Sequence, residues 1–183
     1  MHFTTKDIIA ELIRNTEMST RTVCAFKALS PAQLNFRKTD SSWSVLECIE
    51  HLNLYGDFYL PEIELKMIAQ RDVPFSPKFK SGVLGNYFAN LMKGKDGKIT
   101  KMNSPKDKVP DPSTLSTTTL DRFLKQQELL VSLLYQAESM NLTKVKTAIS
   151  LSKWINLRLG DTLRFYVNHI ERHVAQAKRN LES

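Results

Sequence analysis

Cysteine is scarce. Cys24 and Cys48 are the two in 183 residues, too few for a disulfide framework, which excludes a small stapled scaffold and implies reduced thiols in a cytoplasm. Long apolar runs are missing as well. The best stretch, Leu129 to Tyr135, is seven residues long and contains Ser132, far short of the roughly 18–20 residues that cross a bilayer, so no membrane association is expected. The N-terminus, MHFTTKDIIAELIRNTE, lacks a basic start followed by an apolar block, so no secretory signal is read there. Acidic side chains are outnumbered, 19 against 26 basic ones, for a net charge of +7. Glycine and proline, six and seven in all, crowd into one stretch: Asp72 to Pro112 carries four of the glycines and five of the prolines.

What remains is ordinary for a folded chain. A hydrophobic content of 42% and a charged content of 25% exclude a wholly disordered or collagen-like chain. The length fits one domain, 1–183, large enough to bury a hydrophobic core without staples. The basic excess is local. Lys93, Lys95, Lys98, Lys101, Lys106 and Lys108 stand against Asp96 and Asp107 alone, in a stretch that reads as a solvated loop. With no helix-turn-helix, zinc finger or aromatic-interleaved basic face, nucleic acid is not an expected partner.

Apolar spacing of three and four residues predicts four long helices. The first runs from Thr5 to Leu29 on Ile8, Ile9, Leu12, Ile13, Val23 and Phe26, with Ser30-Pro31 as its stop. The second starts at Val45, where Ser44 and Glu47 form a capping box, and runs to Arg71 through Pro61. The third spans Thr118 to Ser139, and the fourth runs from Asn156 or Asp161 to Leu181. Between the second and third lies an irregular insertion, with a short helix predicted over Val83–Met92 and a loop from Lys93 to Ser116. Met140 to Trp154 has both helical and extended features. The expected fold is an all-α four-helix bundle with a crossover connection.

Histidine is rare, and its placement carries the chemistry. Of His2, His51, His169 and His173, three fall on predicted buried helix faces. His169 and His173 are one turn apart, so both imidazoles share a face and can hold one metal ion. A zinc protease motif is absent, because Ile170 occupies the position where its glutamate would follow the first histidine. His51 lies on the stripe of Cys48, Leu52 and Tyr55. A buried imidazole needs a partner, and one divalent ion would serve all three. Glu47 is explained by the capping box, Cys48 as a small buried residue, and Tyr55 and Tyr166 as core residues. Glu171 and Arg172 are expected to point away from the pair. Gln176, three residues on, is within reach of it.

WSVLECIEHL (Trp43 to Leu52) followed about 120 residues later by HIERHVAQ (His169 to Gln176) resembles the DinB-like superfamily of four-helix bundles, including its bacillithiol-transferase-like branch. The resemblance implies a divalent metal held by one histidine on the second helix and two on the last, here His51, His169 and His173. Zinc or nickel suits such a site first, with iron and manganese also admitted. Three protein nitrogens leave an open coordination position, where the ion can make a nucleophile of a water or thiol near neutral pH. The implied activity is that of a hydrolase or thiol S-transferase on a small molecule, with a low-molecular-weight thiol as co-substrate for the transferase. Family members pair through bundle faces, so a homodimer is implied. The competing reading is a non-catalytic dimeric bundle with a structural or vestigial metal site.

Overall fold

Thr4 is extended, and its hydroxyl accepts a hydrogen bond from the amide of Asp7. This cap opens helix α1 (Thr5–Phe26) with an acid in its first turn. The computed structural model describes residues 1–93, 104–150 and 152–181. Residues 94–103 of the expected loop, which include Lys95, Lys98 and Lys101, lie outside the described residues. Ser30-Pro31, expected only to stop α1, also starts a short helix α2 (Pro31–Asn35), because Ser30 and Gln33 satisfy each other's backbone amides. The capping box expected at Ser44 and Glu47 is present and opens α3 (Val45–Ala69), which continues through Pro61.

Among the described residues, the insertion is more ordered than its composition implies. Strand β1 (His2–Thr4) pairs antiparallel with β2 (Lys78–Lys80), and α4 (Val83–Lys93) follows. Of the apolar residues at helical spacing on α4, Val83, Leu84 and Tyr87 are exposed, Phe88 and Leu91 pack half-buried against the core, and the most buried positions are Gly85, Ala89 and Met92. Small residues won the inner face because α4 lies close against the last helix, where a Cβ at Gly85 would overlap Asp161. Single turns of 3₁₀ helix at Lys106–Lys108 and Pro112–Thr114 lead into α5 (Thr118–Ala137). The ambiguous stretch before the last helix is a hairpin, β3 (Lys146–Ile149) with β4 (Ser152–Arg158), and α6 (Leu159–Arg179) closes the chain.

The four long helices pack as a ring in the order α1, α5, α3, α6. Side-chain pairs set their directions. Lys27 at the end of α1 meets Asp121 at the start of α5, 2.7 Å away, so these two run antiparallel. Arg122 bonds Glu50 (2.9 Å), and Gln126, a turn later, bonds Asp57 (3.0 Å), so α5 and α3 run parallel. Asn180 donates to the carbonyl of Trp43, which sets the end of α6 beside the start of α3. Parallel neighbours cannot be joined by a tight turn, and the long insertion between α3 and α5 is the crossover. The core lies inside this ring, with Ile9, Leu12, Ile49, Ile63, Phe123, Leu130, Tyr166 and Ile170 essentially sealed from solvent. This is an all-α bundle with two small strand pairs among the described residues.

Candidate metal centre

Antiparallel packing of α3 on α6 brings His51, near the start of one, against the second half of the other. The Nε2 atoms of His51 and His169 are 3.2 Å apart. Ring centroids are 5.1 Å apart for His51 and His169, 4.5 Å for His51 and His173, and 4.6 Å for His169 and His173. One ligand nitrogen from each lies within 4.8 Å of the other two, and all three rings are under 9% exposed. The three histidines expected to share a site are therefore brought together.

The tautomer of His51 follows from its neighbour. Its Nδ1 is 2.6 Å from the carbonyl oxygen of Lys108, which can only accept, so Nδ1 carries the proton and Nε2 presents a lone pair toward His169. Nδ1 of His169 and Nδ1 of His173 are buried without a hydrogen-bond partner among the described residues. An apolar shell keeps all three rings neutral. Trp43 packs 4.8 Å from His51 and 5.9 Å from His173, Tyr55 lies 4.4 Å from His169, and Phe165 stacks on His169 at 9°. Burial pushes His51 down to about 4 and His173 down to about 3, the latter helped by His51 and Arg172. Burial, then the other two histidines and Arg172, hold His169 well below the usual imidazole range. Three neutral imidazoles are metal-ready, because a proton does not occupy the lone pairs that an ion needs.

The donor set fits a divalent ion. Two nitrogens each about 2.0–2.1 Å from one ion at a roughly tetrahedral angle are about 3.3 Å apart, close to the Nε2 separation seen here. Three imidazoles with space beside them is also the layout of catalytic rather than closed structural zinc. That space is a pocket of about 150 Å³ against the three histidines. Tyr55, Phe88, Met92, Pro105 and Phe165 supply its apolar wall, and Ser104 and Arg172 its polar atoms. No carboxylate lines it among the described residues.

The remaining candidates sort by contact. Glu47 holds the α3 cap and pairs with Arg37 at 2.8 Å; burial alone would raise its carboxyl, but these bonds hold it below the usual range. Cys48 is sealed in the core with its thiol pushed up to about 12 by burial, and is not among the converging groups. Tyr166 is fully buried and stacks on Tyr59, away from the pocket. Glu171 points to α1, where it accepts from Asn15 at 3.2 Å. Arg172 departs from expectation: three residues after His169 it shares that face and lines the pocket. Sequence reasoning also missed Trp43 as a cover for the cluster and the Lys108 carbonyl. Helical spacing could have found Arg172; a main-chain oxygen 57 residues from His51 leaves no pattern to read.

A family model described as the DinB superfamily matches residues 14–177. No curated protein and no solved structure matches the chain.

Proposed function

The chain belongs to the DinB superfamily, and from that premise and the convergence of His51, His169 and His173 we propose that it is a metal-dependent enzyme, a hydrolase or thiol S-transferase acting on a small molecule. The single observation that carries the reading is the pocket built directly against three neutral, converging imidazoles. A purely structural ion needs no such space, and this favours catalysis over a non-catalytic bundle.

His51, His169 and His173 are the residues that would hold the ion. When bound, a divalent ion supplies Lewis acidity, which lowers the pKa of a water or thiol toward neutrality. The chain does the rest. The Lys108 carbonyl keeps His51 in the tautomer that offers Nε2. Trp43, Tyr55 and Phe165 keep bulk water off the imidazoles. Burial pushes the Tyr55 hydroxyl up to about 12, so at neutral pH it remains protonated and able to donate. Phe88 and Met92 of α4 give the substrate an apolar wall. On this reading the protein works in the cytoplasm as a single domain, zinc or nickel is the first candidate ion, and a homodimer is the assembly suggested by the family resemblance. Among the described residues no helix is long and apolar enough to cross a membrane.

Elemental analysis of protein purified without an affinity tag tests the proposal. About one divalent ion per chain, lost in His51→Ala, is the expected result, followed by turnover in a screen of thiols and electrophiles. A chain that takes up no divalent ion at micromolar levels overturns it. Loss of the ion and of thermal stability in His51→Ala, with no turnover in the wild type to lose, would instead mark a structural ion.

A further inference from the structure

A main-chain carbonyl can come from any residue, so the oxygen that meets His51 does not by itself explain a lysine at position 108. The side chain does. Lys108 Nζ donates to the carbonyl of Leu54 at 2.9 Å. Leu54 lies three residues after His51, about one turn along the same face of α3. One residue therefore grips α3 at two points a turn apart, by its carbonyl on the His51 ring (2.6 Å) and by its ammonium on the helix main chain. The ammonium is sheltered. The side chain is 13% exposed, and Nζ lies 3.5 Å from Asp107 and 5.8 Å from the centre of the Tyr55 ring. A cation drawn out of water is held by such partners.

The turn that carries Lys108 is slight. Lys106–Lys108 is one turn of 3₁₀ helix, closed by the Lys108 amide on the Pro105 carbonyl (2.9 Å) and the Val109 amide on the Lys106 carbonyl (3.3 Å). Such a turn has poor hydrogen-bond geometry and holds itself weakly. None of its three residues is fully buried. Its last carbonyl must nevertheless stay on an imidazole that is 2% exposed. If that oxygen drifts, the His51 Nδ1–H is left unsatisfied. The proton is then free to move to Nε2, where it fills the lone pair that faces His169. Ser104 and Pro105, just before the turn, line the pocket, so the same anchor steadies part of its wall.

We propose that Lys108 is a positioning residue of the metal centre: its ammonium, tied to the Leu54 carbonyl, holds its own main-chain carbonyl on His51 Nδ1 and so keeps Nε2 bare for the ion. The inference rests on His51 being a ligand in the metal-dependent reading, and it names the side chain that prepares that ligand.

The test compares Lys108→Met, which keeps the stem and removes the ammonium, with Lys106→Met, a control on an exposed lysine of the same turn. Two readouts are taken at neutral pH on the full chain. One is the ring-nitrogen NMR signature of His51 in metal-free protein, assigned by its absence in His51→Ala. The other is zinc affinity by chelator competition. The wild type is expected to show one tautomer, with the proton on Nδ1. Lys108→Met should show both tautomers and bind zinc roughly 10–100-fold more weakly, the scale of losing a partner of a ligand histidine. Lys108→Arg, which keeps a cationic donor, should recover part of each, and Lys106→Met should match the wild type. Should Lys108→Met fail to fold, Lys108→Gln, whose side chain is one bond shorter, takes its place. A tautomer mixture in the wild type, or an equal shift in Lys106→Met, overturns the inference. So does a lowered urea midpoint in Lys108→Met with the tautomer unchanged, the mark of a role in stability alone. The metal-free readout keeps the two claims apart. A Lys108-dependent tautomer in a chain that takes up no zinc retains the anchor and sinks the metal reading. Zinc bound equally tightly by wild type and Lys108→Met, with one tautomer in both, does the reverse.

Discussion

A single carbonyl oxygen decides which nitrogen of His51 faces its two partners, and this makes His51 the side chain on which the centre turns. Replacing it with alanine removes one of three nitrogens. Zinc affinity is expected to fall by more than the roughly 10–100-fold typical of losing an outer-shell partner, as measured by competition with a chromophoric chelator. The same rings set an acid limit on the metal-free protein. His51 and His173 titrate near 4 and 3 when folded and near 6.5 when unfolded. Between those values the unfolded chain binds more protons than the native one, so stability is complete above about 6.5 and declines as pH falls toward 4. Urea midpoints of chelator-treated protein across that window should drop with acid, and drop less steeply in His51→Ala. An unchanged slope would mean that the imidazoles are not neutral in the fold.

At the scale of an element, two local features aim the site. The Ser44–Glu47 box starts α3 two turns before His51 and so sets the register of that ring. Ser44→Ala should cost about 1 kcal/mol of stability in chemical denaturation while one ion per chain is still bound, because the packing of α3 on α6 outlasts a frayed first turn. Gly85 acts on the other wall. A Cβ there would overlap the Asp161 side chain, which accepts from Ser81 and from the amide of Gly82 (2.8 Å). Gly85→Ala should push α4 off α6, costing about 1–3 kcal/mol as an overpacked contact. It should also weaken ligand binding at Phe88 and Met92 more than it weakens metal uptake, since the histidines stand on α3 and α6 alone. Parallel titrations of zinc and of a substrate found in the screen of thiols and electrophiles check that split.

Across the whole molecule, the centre joins two helices of the ring to the crossover. His51 comes from α3, His169 and His173 from α6, and Lys108 from the connection to α5. An ion bound only by the native state stabilises by about 2.7 kcal/mol when present at 100 times its Kd. The melting temperature should therefore climb with added zinc, fall back with a chelator, and stay flat through both treatments in His51→Ala. A wild-type melting curve indifferent to zinc would argue that the ring closes without help from the cluster.

Amino-acid order alone marked out the four long helices, since apolar residues such as Ile8, Ile9, Leu12 and Ile13 on the first recur at the three- and four-residue spacing of an amphipathic helix, and Ser44 with Glu47 announces a helix start by local bonding. It also singled out His169 and His173, because four residues make one turn, and His51 through its place on the stripe of Cys48 and Tyr55. Those features are short-range, and short-range geometry is written in spacing. Long-range packing was needed for the rest. The parallel run of α3 beside α5, the choice of Gly85 and Ala89 over Val83 and Tyr87 as the inner face of α4, the turn of Arg172 into the pocket and the Lys108 carbonyl against His51 depend on which surfaces meet. Two stretches of chain meet by the burial they gain together, a property of the pair that neither stretch carries by itself.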